Sequence, residues 1–200
     1  MSRAEQFDRL DFDLDDDEED AADEAVVVVS APTMQQELSV LADRKPPWMW
    51  PINPSFITGL GDSVMAVRPK KNRPHEGLDI FAPPGARIYT ASKGRVLRVR
   101  DGRTSQQKKS RRAGLFVDFL SAPDDQGMQY IQRYLHLASV RDLGKEPLAQ
   151  GSPIAELAAP HTSGLADRSH LHFEVRAANA DGSYGPPIDP RRFLPPLSIA

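Results

Sequence analysis

His170-Leu171-His172-Phe173-Glu174-Val175 is the stretch on which the reading of this chain turns. Apolar Leu171, Phe173 and Val175 alternate with polar His170, His172 and Glu174, and a period of two predicts a β-strand with one face buried. Side chains at i and i+2 of a strand share a face about 6–7 Å apart, so the two imidazoles stand side by side. Glu174 falls on the same face; it is expected to be structural or outward-facing, or to orient a neighbouring ligand.

Upstream, His75-Glu76-Gly77-Leu78-Asp79 and Tyr134-Leu135-His136-Leu137 bring the count in the pattern to four of the chain's five histidines. A hydrolytic zinc site takes three protein ligands, usually histidine nitrogens with or without a carboxylate oxygen, and leaves a fourth position for water. His75, Asp79 and one histidine of the His170/His172 pair supply such a set, while the other can stand over the bound water. Spacing alone does not choose between the two, and both could bind the metal. His161 has no partner in the pattern and is expected in a loop or at the surface.

Taken in order, Trp50-Pro51, Ile57-Thr58, HEGLDIFAPPGARIYTASKGRV from His75 to Val96, YLHL at 134–137, HLHFEV at 170–175 and IDPRRFL at 188–194 resemble the lysostaphin/LytM-type zinc endopeptidases, which cut peptidoglycan peptides. The resemblance runs from about Trp50 to Leu194. It implies one zinc held by His75, Asp79 and His172, with His136 and His170 as an unligated pair. It also implies zinc-assisted peptide hydrolysis, in which the pair hydrogen-bonds water and the developing oxyanion or passes a proton to the leaving amine. The family includes members that have lost ligands and serve as activators or scaffolds, whereas all five positions are filled here. A catalytically silent wall-binding or activator domain is one alternative, and a metallopeptidase acting on a protein substrate is another.

Two stretches depart from the family pattern. Ala158 to Ser169 replaces a glycine-rich run before the strand, which bears on groove shape more than on chemistry. Asp101 to Arg112, DGRTSQQKKSRR, is polar and basic where a short turn would suffice, and is expected to be a flexible surface loop.

Composition supports a mostly β fold. From Pro51 onward, short β-branched runs are broken by Gly, Pro and Asp: 86–91, 94–100, 115–120, 130–135 and 170–176. The expected fold is a mostly antiparallel β-sheet metallopeptidase domain over residues 46–200, with a groove for an extended peptide. Residues 1–45 hold 14 acidic against 4 basic residues and are expected to be a disordered acidic N-terminal segment, because so charged a stretch cannot bury a core. Residues 46–200 are basic, with 14 acidic against 21 basic residues, which suits an anionic polymer such as a cell wall. Nucleic acid is not the expected partner, since no aromatic platform or recognition helix accompanies the charge.

Val26–Val29 is too short for a membrane helix, so no transmembrane segment is expected. No basic region with an apolar stretch and cleavage site marks a signal peptide. The expected place of action is nevertheless the cell wall, periplasmic or extracellular, with a peptidoglycan peptide as substrate, a monomeric state and no cofactor beyond zinc. The chain contains no cysteine, which excludes a thiolate site or a disulfide staple.

Overall fold

The computed structural model describes residues 48–61, 67–68 and 73–198. The acidic segment 1–45, expected to be disordered, lies outside the described residues. In chain order the elements are a 3₁₀ turn at Pro54–Phe56, β1 (Gly59–Leu60), β2 (Val67–Arg68), β3 (Arg73–Pro74), β4 (Leu78–Phe81), β5 (Arg87–Tyr89) and β6 (Gly94–Asp101). A short helix α1 (Lys108–Ala113) follows, then β7 (Leu115–Ser121), β8 (Tyr130–Val140), β9 (Pro153–Leu157), β10 (His170–Ala178), β11 (Tyr184–Ile188) and a 3₁₀ turn at Pro190–Arg192.

Nine of these strands form one antiparallel sheet whose main path runs β1-β4-β10-β8-β7-β6; β11 lies on β10, and β9 joins β8 to β5. The five expected runs coincide with β5, β6, β7, β8 and β10, although β8 continues to Val140. The expected runs did not include β4, and they missed β9 and β11 because Pro153, Pro186 and Pro187 disguise them, proline being tolerated at strand ends and in edge strands. It also missed α1. The stretch expected to be a flexible surface loop is instead the end of β6, a turn and a helix, whose Ala113 packs with Phe116 and Leu135.

Alternation sorts the sheet into two faces. Leu78, Ile80, Val117, Tyr134, Leu171, Phe173 and Val175 point into a single core cluster, each essentially inaccessible to water. The segments around Trp48 and Phe193 close this core together: Trp48 stacks on Phe193 at 4.4 Å between ring centres, and Trp50 Nε1 donates to the Pro195 carbonyl at 3.0 Å. Thus IDPRRFL serves architecture, with Asp189 accepting from the Arg191 amide to shape the last turn.

The opposite face carries charge. Arg98 lies opposite Asp118, Asp118 opposite Arg133, and Arg133 opposite Glu174, one step across each of four neighbouring strands. These cross-strand neighbours are also ion pairs, with Arg133 at 2.8 Å from Asp118 and 3.0 Å from Glu174. Tyr184 adds its hydroxyl to Asp118 at 2.6 Å. Opposite charges directly across a sheet attract, and a buried charge is tolerated only when its hydrogen-bonding capacity is filled.

Asp118 has no exposed surface, and removing it leaves the Nε of Arg133, a side chain only 14% exposed, without its partner. Asp118→Ala should therefore cost about 3 kcal/mol in denaturant unfolding. A loss below about 1 kcal/mol would show instead that solvent screens the ladder.

Candidate metal centre

The site is built from one rung of the sheet and one bend. His172 on β10 lies directly opposite Asp79 on β4, and His170 opposite Phe81, so the pleat alone turns Asp79, His172 and His170 to the same face. His75 comes from the bend between β3 and β4. Gly77 makes that bend possible: a Cβ there would sit 2.7 Å from the Phe173 carbonyl and 2.8 Å from His172 Nε2. Only glycine lets the bend lie so close to β10.

Three side-chain atoms converge as a result. His172 Nδ1 is 2.7 Å from Asp79 Oδ1, and His75 Nε2 is 3.1 Å from each of them. Ligands about 2.0–2.1 Å from a tetrahedral zinc lie about 3.3 Å apart, so this triangle fits the base of such a site. Its chemistry fits too: two imidazole nitrogens and a carboxylate oxygen form the donor set of many catalytic zinc sites.

The surroundings fix the triangle. Glu174 Oε1 lies 3.2 Å from His172 Nε2, and a carboxylate there accepts the Nε2 proton, so that Nδ1 is the nitrogen open to a metal once its own proton is displaced. Glu174 is thus buried and turned toward the site rather than outward. Burial would raise its carboxyl, but His172, Arg133 and Arg176 hold it down to about 2. The charge ladder therefore ends on His172. For Asp79, burial is likewise outweighed by hydrogen bonds from His172 and His75, which keep the carboxyl far below the usual range.

His136 reaches the site by a different route. Strict alternation from Tyr134, a core residue, would point His136 into the core as well. The register between β7 and β8 instead slips between Tyr134 and Leu137, and His136 has φ 66°. One extra residue flips the parity, so Leu137 returns to the core while His136 faces the groove. Such bulges re-aim side chains beside active sites, and left-handed backbone at a non-glycine residue is strain stored at functional positions.

Both unpaired imidazoles are held alike. His136 Nδ1 lies 3.0 Å from the Ser163 carbonyl and His170 Nδ1 lies 2.8 Å from the Arg168 carbonyl. A carbonyl only accepts, so each Nδ1 carries a proton and donates it. His170 Nε2 is 3.6 Å from Asp79 Oδ1, and the His136 and His170 rings meet edge to face with centres 4.9 Å apart. Burial, followed by the nearby His170 and His172, pushes His136 down to about 3, so it is neutral at ordinary pH.

The loop that replaces the glycine-rich run holds His136 in place. Gly164, at φ 76°, passes so close to the ring that a Cβ would meet His136 Nδ1 at 2.7 Å. Ser163 Oγ meanwhile accepts the Leu115 amide proton. His161 is exposed in this loop and apart from the cluster. All five residues named from the sequence line one groove of about 1010 Å³, together with Glu76, Arg98, Arg133, Arg176 and Tyr184.

The family model of peptidase family M23 matches residues 73–190, more than half of the chain. This chain belongs to peptidase family M23. Among solved structures, the M23 chain is similar to a zinc containing peptidase from Vibrio cholerae, with 25% identity and a TM-score of 0.55 over 74% of this chain and 40% of that one. It thus spans well under half the length of the Vibrio protein. It is also similar to the catalytic domain of the antimicrobial peptidase lysostaphin from Staphylococcus simulans, with 18% identity and a TM-score of 0.52 over 68% of this chain and 91% of that domain. A prophage-encoded M23 protein, EnpA from Enterococcus faecalis, aligns at 20% identity and a TM-score of 0.50 over 68% of this chain and 89% of its catalytic domain. The lysostaphin and EnpA likenesses speak for the fold alone. No curated protein matches the sequence. Among the described residues no helix is long and apolar enough to cross a membrane.

The triangle predicts a pH dependence. Burial would lower His172, yet Asp79 and Glu174 outweigh it and raise His172 to about 9 in the metal-free protein. The stability gained from that protonated pair is complete below the unfolded value of about 6.5 and is lost as pH rises through about 9. A metal taken by Nδ1 must displace the proton, so zinc affinity should rise about tenfold per pH unit from roughly pH 7 to 9 and then level off. Chelator competition corrected for the chelator's own ionisation measures this. An affinity that does not change over that interval would place the metal elsewhere.

Proposed function

We propose that the chain is a zinc endopeptidase that hydrolyses peptide bonds in peptidoglycan, acting in the periplasm or outside the cell through a catalytic domain spanning residues 46–200. His75, Asp79 and His172 hold one zinc ion, and His136 and His170 handle protons. The observation that carries this reading is the shared posture of the two free imidazoles. Each is pinned through Nδ1 to a backbone carbonyl and lines the groove that holds the donor triangle, with His170 Nε2 3.6 Å from Asp79. A purely structural histidine would have its second nitrogen satisfied as well.

When bound, zinc supplies Lewis acidity to the scissile carbonyl and to water. The protein's own groups do the rest. His136, neutral because it is buried, offers Nε2 as an acceptor for a proton from water. His170, whose ring meets that of His136 edge to face, stabilises charge at the carbonyl and delivers a proton to the leaving amine once its Nε2 has taken up the proton released from water. The carbonyls of Ser163 and Arg168 hold each ring through Nδ1–H and so keep each Nε2 for these roles. The substrate lies extended along the groove, with the basic surface drawing it from an anionic wall.

His136→Ala and His170→Ala should each keep zinc and lose about 10²-fold or more in turnover of purified peptidoglycan, followed by mass spectrometry of the released fragments. Wild-type turnover in either variant would remove that residue from the mechanism. Metal-loaded wild-type protein that releases no peptidoglycan fragment would contradict the proposal.

A further inference from the structure

The groove is electrically balanced along its floor but not along one wall. On the floor Arg98, Arg133 and Arg176 face Asp118, Glu174 and Glu76 in ion pairs. On the α1 side, Arg100, Lys109 and Arg112 line the same groove, and among the described residues none of them meets a carboxylate. Arg112 Nε is buried within the wall and has no hydrogen-bond partner among the described residues. Nε is closed off inside the wall, while the side chain as a whole is only partly buried and lines the groove, so its remaining donors are left to meet what the groove binds.

This wall is tied to the site. Arg100 lies opposite Phe116 in the sheet, Phe116 packs with Ala113 of α1 and with Leu135, and Leu135 lies opposite His172. The Arg112 carbonyl accepts the Leu165 amide at 3.2 Å and lies against Gly164, the residue that abuts the His136 ring. The wall that carries these cations is therefore braced against the elements that hold His172 and His136. The helix that carries two of them is the insertion between β6 and β7 for which a short turn would have sufficed.

We propose that Arg100, Lys109 and Arg112 form a subsite for a carboxylate on the substrate peptide, so that the enzyme selects acidic peptides over neutral, glycine-only ones. The inference deepens the proposed function and rests on it only in taking the groove as the place where a peptide lies. Arginine's planar fork matches a carboxylate bidentately, and a neutral glycine chain offers these side chains only backbone carbonyls.

The test is equilibrium binding of hydrolysis-resistant peptides to the full zinc-loaded chain, with glutamate or its isosteric amide glutamine placed at successive positions. One position should favour glutamate by about tenfold or more. Arg112→Gln should bring the two peptides to equal affinity, and Lys109→Gln, an exposed substitution that leaves the wall's packing intact, should narrow the gap. Equal affinities at every position would overturn the subsite. So would the same gain wherever glutamate is placed, since that marks diffuse attraction rather than a built pocket. Position-specific binding without any cleavage of peptidoglycan would sink the proposed function and leave the subsite standing, and cleavage without a preferred position would do the reverse.

Discussion

A β-sheet gives each strand two faces, and this protein places its core on one and its chemistry on the other. Asp79, His170 and His172 reach the groove because they occupy matching positions on β4 and β10, where the same pleat sends Leu78, Ile80, Leu171 and Phe173 into the core. No separate device is needed to aim them. Packing the apolar half of each strand fixes the other half, since slipping either strand by one residue would exchange the candidate ligands for core residues. His136 is the exception that the arrangement requires. Only a bulge with left-handed backbone turns it to the groove, and the Ser163 carbonyl and Gly164 hold the strained residue there.

Gathering two imidazoles and a carboxylate within 2.7–3.1 Å of one another is costly in a metal-free protein unless the surroundings carry part of the charge. The ladder from Arg98 through Asp118 and Arg133 to Glu174 does this along the groove floor, alternating in sign at each strand and ending on His172 Nε2. It fixes the tautomer of His172 and so determines which nitrogen is available to a metal. Fold stability and site geometry consequently share the same residues, and a change as distant as Asp118 reaches His172 through only Arg133 and Glu174.

Much of this was legible in the sequence. Alternation in HLHFEV announced both a strand and the sharing of a face by its histidines, and the five residues named from the family resemblance line one groove. The sequence left His170 and His172 equivalent by spacing, because a period of two cannot distinguish them. Register does so: His172 lies opposite Asp79, whereas His170 lies opposite Phe81. Asp118 and Arg133 went unnoticed because their partners lie on other strands. α1 was mistaken for a flexible loop because its six residues are almost all polar, and the apolar Ala113 that anchors it is a single residue at its end. Glu174, one step from a ligand on the same strand face, was the one positioning residue that alternation could have assigned outright.

The central claim is that this register creates the metal site. Anomalous diffraction at the zinc edge from crystals of the zinc-loaded chain tests it most directly. The account predicts a single peak about 2.0–2.2 Å from His75 Nε2, an Asp79 oxygen and His172 Nδ1, with His136 and His170 outside bonding distance. A peak bonded to His136 or His170, or to His172 through Nε2, would contradict it.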